Sequence, residues 1–412
     1  MENQGQAGNF DEEGDFDEAE DLAEYIAMMF FEEFDDDERA NMQDEGLADF
    51  VDRIFEDFEE IERRRRQVMR LKVLREFLRL ISDPFDMHPI QFRKLYRLTP
   101  TLARDVVEML REELNRNRTT RVTEELQVLI TLRFLATGSF QRGTGQDFLH
   151  PVCQSLVSKI LAKVLDAICT FGEQFIFLPR TPEERFQTQY AFRNLIRIPG
   201  ILGLIDGFLV KMKRPAEHEE AYVNYAHGCS VNVQVIVNAE GRIMSLRIIP
   251  GSNNDQGNYT NSRARQYFEA LRAILEVVER EGYFYILGDA GYRESRVLLT
   301  PIENAPEGSP EWVYTREHST TRSKVERTIG ALSGVWFAAN KARVLYYAPE
   351  KVATIITAAA ILHNIRIMNG LGNDNERPAA QPVLDDLVVG EIDANHLEGL
   401  AERELLLDLL YR

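Results

Sequence analysis

Cysteine is scarce in this chain. Of 412 residues only Cys153, Cys169 and Cys229 carry thiols, an odd number without the close spacing of zinc ligands. A disulfide framework and a thiolate metal site are excluded, and three buried thiols in a reducing compartment are expected. Long apolar runs are missing too: none approaches the ~20 residues of a membrane span. The first residues are acidic, where a secretory leader has bases followed by an apolar stretch, so neither a leader nor a membrane association is expected. No Gly-x-x-x-x-Gly-Lys-Ser/Thr loop and no His-Glu-x-x-His pair is present, which argues against P-loop nucleotide hydrolases and zinc proteases. Positive charge is also short, with 48 Lys and Arg against 67 Asp and Glu and a net charge of −19.

That deficit is confined to the ends. Residues 1–62 hold 25 acids and 2 arginines, and residues 350–412 hold 11 acids and 5 bases. The stretch between them, 63–349, holds 31 acids and 41 bases, a net charge of +10. A basic body with an acidic appendage suits a phosphate-bearing partner.

Within that body, residues 200–256 contain three strand-length runs rich in Val, Ile and Leu: one around Asp206, then Cys229–Val237, then Arg242–Pro250. Asn232 and Gln234 alternate with Val231, Val233 and Val235, which predicts a sheet with one wetter face. Asp206 lies inside the first apolar run, where a carboxylate is costly to bury unless paired or bound to a cation. Asp255 follows Pro250-Gly-Ser-Asn-Asn, and Asp289 ends the apolar run Tyr283–Gly288. Glu326 falls in a helical pattern whose stripe is Val325, Ile329, Leu332 and Trp336. Gly330 and Ser333 beside Glu326 leave a small, polar face that a large ligand can approach. Oxygen donors of this kind suit hard divalent cations, which serve phosphodiester cleavage in pairs. Lys211, Lys213, Arg214, Arg322, Lys324 and Arg327 are near these acids in sequence and are candidate contacts to a nucleic-acid backbone.

Six stretches occur in a fixed order between roughly residues 85 and 370. They are Gly203-Leu-Ile-Asp206-Gly, Tyr225-Ala-His-Gly-Cys-Ser-Val-Asn-Val-Gln, Pro250-Gly-Ser-Asn-Asn-Asp255, Leu287-Gly-Asp289-Ala-Gly-Tyr, Val325-Glu326-Arg-Thr-Ile-Gly and Ile361-Leu-His-Asn364. Together they resemble the DDE nucleases of the PIF/Harbinger transposase group, in particular the domesticated Harbinger transposase-derived nucleases. The resemblance implies an α/β fold with an RNase H-like nuclease core, a mixed sheet flanked by helices, preceded by a helical, helix-turn-helix-like domain. It implies Asp206 on the first strand, Asp289 on the fourth and Glu326 on a later helix as catalytic residues, with Asp255 joining them as metal ligands. The implied cofactor is a divalent cation, Mg²⁺ with Mn²⁺ as the substitute. The implied partners are DNA and a DNA-binding protein acting in trans, with homo-oligomerisation left open, in the nucleus and secondarily the cytoplasm. The expected activity is metal-dependent cleavage of DNA phosphodiester bonds without transposition. The alternative is a catalytically inactive DNA-binding or adaptor protein that kept the fold; the presence of all four acids favours the enzyme.

The organisation expected is an acidic disordered tail over 1–45, a helical domain over 46–170, a connector over 171–199, the nuclease core over 200–368, and a linker with an acidic helix over 369–412. A helix begins near Leu47 and carries Arg63–Arg66, a candidate nuclear-import or phosphate-contact run that also fits a solvated face. Thr99-Pro100 caps a helix over 101–115. A helical trio follows over 123–170; its last member, Val152–Ile168, has only Lys159 and Lys163 for base reading. Further expectations are a helix over Asn258–Glu281, a loop over Thr300–His318 covering the site, and an apolar helix over Thr354–Met368 with His363 as a satisfied core residue. A closing amphipathic helix is expected over Glu398–Tyr411.

Overall fold

The computed structural model describes residues 44–116, 122–145, 149–278, 283–372 and 394–411. The acidic tail expected over 1–45 lies outside the described residues up to position 43, as does the expected linker from 373 to 393. The chain divides into two units, Met1–Ser82 and Asp83–Arg412. In the first, α1 (Asp44–Ile81) is one uninterrupted helix of 38 residues. Arg63–Arg66 are exposed on it, and Arg64 and Arg65 pair with Glu60 and Glu62 one turn before them.

The second unit opens with helices α2 (Pro89–Tyr96), α3 (Pro100–Arg116), α4 (Glu124–Thr137), α5 (Gln141–Gly145), α6 (Gln154–Thr170), α7 (Gly172–Phe175) and α8 (Pro182–Phe192). In α3, Leu102, Val106, Leu110 and Leu114 recur every fourth residue and are all buried, the apolar stripe that seats the helix. Thr123 Oγ accepts from Leu126 N–H at 3.3 Å to start α4. Gly138 ends α4 at φ 59, and its N–H donates to the Phe134 carbonyl. Gln154, Ser155, Ser158 and Lys159 are exposed on α6. Cys153 is exposed as well, against the expectation of buried thiols, because it occupies the N-cap position of α6 and faces outward.

The sheet has five strands, β1 (Ile201–Lys211), β2 (Ser230–Val237), β3 (Ile243–Pro250), β4 (Tyr285–Leu287) and β5 (Leu298–Leu299), in the order β3-β2-β1-β4-β5. The first three are antiparallel neighbours, and β4 and β5 join parallel. Helices α9 (Asp255–Thr260), α10 (Arg263–Val278), α11 (Pro310–Val335), α12 (Pro349–Met368) and α13 (Ala394–Leu410) complete the unit. This is the RNase H-like mixed sheet flanked by helices, behind a helical region. Residues of β1 face two cores, and a register shift between Ile201 and Gly203 breaks the strict alternation at the start of the strand. Leu204 and Phe208 join a cluster that runs from Phe92 through Trp336 to Leu407. Leu202 and Ile205 join Phe268, Phe284 and Leu298 on the other side.

Three expectations are corrected. The loop placed over Thr300–His318 ends at Ser309: Ser309 Oγ accepts from Trp312 N–H at 3.1 Å, and Pro310 opens α11 at the position where its missing N–H costs nothing. The single helix over 258–281 is broken at Asn261 and Ser262 into α9 and α10, and residues 279–282 lie outside the described residues. Among the described residues one helix, α12, is long and apolar enough to cross a membrane, although no such run was expected. Its Val352, Ile355, Ala359 and Leu362 are buried in the core, so its apolarity is spent on packing.

Candidate active site

β1 is the middle strand, and Asp206 pairs in register with Val235 on β2. Its side chain is 13% exposed and accepts from the Gly207 N–H at 2.9 Å. Burial pushes the Asp206 carboxyl up to about 7, with Asp289 and Asp255 adding to the shift while Arg322 and the Gly207 N–H oppose it. Asp289 sits two residues past β4, not on it; its Oδ1 accepts from Gly291 N–H at 3.1 Å, so a tight turn holds the carboxylate at the strand end. Glu326 lies on α11, with Val325, Ile329, Leu332 and Trp336 buried as the stripe required.

These three acids meet at Arg322. Its guanidinium lies 3.5 Å from Asp206 and 4.0 Å from Asp289, and it hydrogen-bonds Glu326 one turn further along α11. The sequence placed Arg322 among backbone contacts. Its spacing of four from Glu326 was the available signal that it faces the acids instead. Of the other candidate contacts, Lys324 Nζ donates to the Ala239 carbonyl, Arg214 pairs with Glu219, and Lys211, Lys213 and Arg327 are exposed.

Asp255 opens α9, where Asn254 Oδ1 caps the helix by accepting from Gly257 N–H at 2.7 Å. Its Oδ1 accepts from Asn232 Nδ2 at 2.8 Å, and its carbonyl accepts from Gln234 Nε2 at 3.2 Å. Asn258 in turn donates to Asn232, and Gln234 also donates to the Tyr292 hydroxyl. Tyr292 is fully buried, and burial with Asp255, Asp206 and Asp289 nearby drives its hydroxyl well above its ordinary range, so it stays protonated. Asn232 and Gln234 are therefore not on a wet face: every residue of β2 is buried. Their amides point into a polar layer that fixes Asp255. Sequence reasoning missed this role and missed Tyr292; amides alternating with valines in a strand with neighbours on both sides were the signal.

The expected cluster of ligands is not closed up. Among the described residues no group of three or more His, Cys, Asp or Glu side chains is near enough to hold an ion as it stands. Arg322 stands between the carboxylates instead. The donor chemistry still fits a hard cation: three carboxylates from three elements already converge on one positive group, with a fourth acid behind them. His363 is not part of the site. It is buried, its Nε2 lies 3.0 Å from the Gly241 carbonyl, and burial lowers it to about 4.

The sequence family described as "DDE superfamily endonuclease" matches residues 205–364. "Putative nuclease HARBI1" of Homo sapiens is 30% identical over 270 residues, spanning 65% of this chain and 74% of that protein. The protein of the same name from Xenopus laevis is 29% identical over 272 residues, spanning 65% and 75%. "Protein ALP1-like" of Arabidopsis thaliana is 25% identical over 251 residues, spanning 58% and 60%. No solved structure matches the chain.

Proposed function

Because the chain belongs to the Harbinger transposase-derived branch of the DDE endonucleases, we propose that it is a divalent-cation-dependent nuclease that cuts DNA phosphodiester bonds, without transposing them. The observation that carries this reading is the meeting of Asp206, Asp289 and Glu326 on one buried cationic group. Mg²⁺, or Mn²⁺ in its place, would be held by these three side chains with Asp255 completing the set. Such cations supply Lewis acidity toward the phosphoryl oxygens. The rest falls to the chain itself. Asn232 and Gln234 fix Asp255, and the turn at Gly291 fixes Asp289. Arg322 supplies positive charge to the three carboxylates, and its guanidinium is the group in the centre suited to a substrate phosphate. Exposed Lys211, Lys213 and Arg327 hold the backbone. The nucleus is the compartment that follows from a DNA substrate, with the Arg63–Arg66 run as import signal. A DNA-binding protein in trans supplies the target, since α6 has little base of its own.

One observation favours a second reading, a catalytically inactive adaptor: Arg322 already occupies the centre of the acid cluster. Calorimetry with Mn²⁺ and a DNA-nicking assay separate the two. A nuclease binds Mn²⁺, loses most of that binding in Asp206→Asn, and loses nicking in Glu326→Gln while keeping its fold. Equal nicking by wild type and Glu326→Gln would remove Glu326 from the chemistry, and absence of Mn²⁺ binding would leave the adaptor.

A further inference from the structure

The described residues include a second feature suited to nucleic acid, at the far end of β1. Just past that strand, Met212 forms an isolated bridge with Leu345, with Lys213 N–H donating to the Leu345 carbonyl at 2.8 Å and Leu345 N–H to Lys211 at 3.0 Å. The segment held there presents Arg343 and Tyr346. The Arg343 guanidinium lies 4.6 Å over the ring of Phe140, and the Tyr346 ring is 5.8 Å from that of Phe140 at 45°. Phe140 and Tyr346 are 59% and 58% exposed, a large apolar investment on a surface. The neighbouring Gln141 is tied to the Tyr347 hydroxyl at 3.2 Å, which fixes the start of α5 against this segment.

Basic side chains border this segment, on the helix start at Gln141 and across the Leu345 bridge. Arg142, Lys211 and Lys213 are exposed, and among the described residues none of them, nor Arg343, forms an ion pair. The Arg343 Nε is buried without a hydrogen-bond partner. A guanidinium stacked on one ring beside a second, tilted ring is a surface that stacks a nucleobase, and the unpaired bases around it attract the phosphates on either side. From Asp206 to Met212 is six residues of extended chain, roughly 20 Å at ~3.3 Å per residue. That is the length of about six nucleotides of a strand at ~3.4 Å each.

We propose that Phe140, Arg343 and Tyr346 form a stacking slot for an unpaired base of the DNA strand that leaves the acid centre along β1. The inference rests on the nuclease reading for its substrate and adds where the strand goes. It implies that the protein prefers DNA with a single-stranded segment beside the duplex over a fully paired duplex. A similar pair, Phe186 and Tyr190 under Arg193, lies on α8 beside Glu183 and Glu184, where the acids oppose phosphate; it serves as the control.

The test uses the full chain in EDTA, so that binding is read without cleavage. Fluorescence anisotropy compares a blunt duplex with the same duplex carrying a short thymine tail. Wild type should bind the tailed probe about tenfold more tightly, the scale of one base stacked on an aromatic ring. Phe140→Ala with Tyr346→Ala should abolish that preference and leave the blunt-duplex affinity within about twofold, while Phe186→Ala with Tyr190→Ala should keep it. Tyr346→Ala alone, at a ring removable without touching the core, should lose part of it if the double variant fails to fold. Equal binding of both probes by wild type, or a preference that survives in the Phe140 and Tyr346 variants, would overturn the slot. Failure to bind either probe would instead count against the DNA substrate itself.

Discussion

The Asp255 carboxylate occupies the space beside the Cα of Gly207. A Cβ on Gly207 would lie 2.1 Å from Asp255 Oδ1 and 2.4 Å from its Cγ. The missing side chain at 207 is what admits a fourth acid next to Asp206, and Asn232 holds that acid in place.

Gly207→Ala should therefore push Asp255 out of its seat. Overpacking of this kind costs about 1–3 kcal/mol, and Mn²⁺ binding should weaken along with melting temperature. Calorimetry and thermal melts would check it; unchanged Mn²⁺ affinity in a folded variant would show that Asp255 is not part of the cation site.

Arg322→Ala leaves three carboxylates without their counter-charge. In the cation-free protein this should lower stability by about 2–3 kcal/mol, somewhat below the ~3–5 kcal/mol of a fully buried broken pair. Added Mn²⁺ should restore more stability to the variant than to wild type, because no guanidinium competes for the acids. Melting curves in EDTA and in Mn²⁺ that shift equally for both proteins would contradict this.

Two buried histidines should make the fold acid-sensitive. Burial lowers His318 and His363 to about 4, and each places Nε2 against a backbone carbonyl, Leu299 at 3.1 Å and Gly241 at 3.0 Å. Their folded values lie below the ordinary 6.5, so the unfolded chain takes up protons first. Their contribution is fully present above pH 6.5 and is lost as pH falls through 4, roughly 3 kcal/mol each at ~1.36 kcal/mol per unit. Denaturant melts across that window would show the loss. Ring resonances of either histidine titrating near 6.5 would refute it.

Removing residues 1–43 takes away 16 acids and one arginine. The shortened chain should bind DNA more tightly at low salt, and the gap should close as salt rises. Equal affinity of both chains at low salt would show the acidic segment to be electrostatically idle.

Much of the fold was legible because periodicity survives burial. Val325, Ile329, Leu332 and Trp336 gave α11 its inner face, and the Val-rich runs gave β1 to β3. Asp206 and Asp289 stood out as carboxylates in or at the end of apolar runs and Glu326 by its helical setting, and the structure places the three around Arg322. What surrounds them was not. Tyr292 is an aromatic in a loop, and only three-dimensional contact with Gln234 gives it meaning. The two-residue β5 is too short to carry any alternation. Pro310 reads as a breaker unless Ser309 before it is read as a cap.

The three acids that meet at Arg322 come from β1, the turn after β4 and α11, and 120 residues separate the first from the last. β4 docks in parallel on β1 only after the whole α9 and α10 crossover has been made. A chain growing from its N-terminus thus has Asp206 and the exposed Lys211 of β1 long before it has Asp289 or Glu326. Non-local pairing of this kind forms late. The centre is absent from every growing chain and every fragment that stops short of α11, so the three acids can meet only once β4 has docked on β1 and α11 has been made.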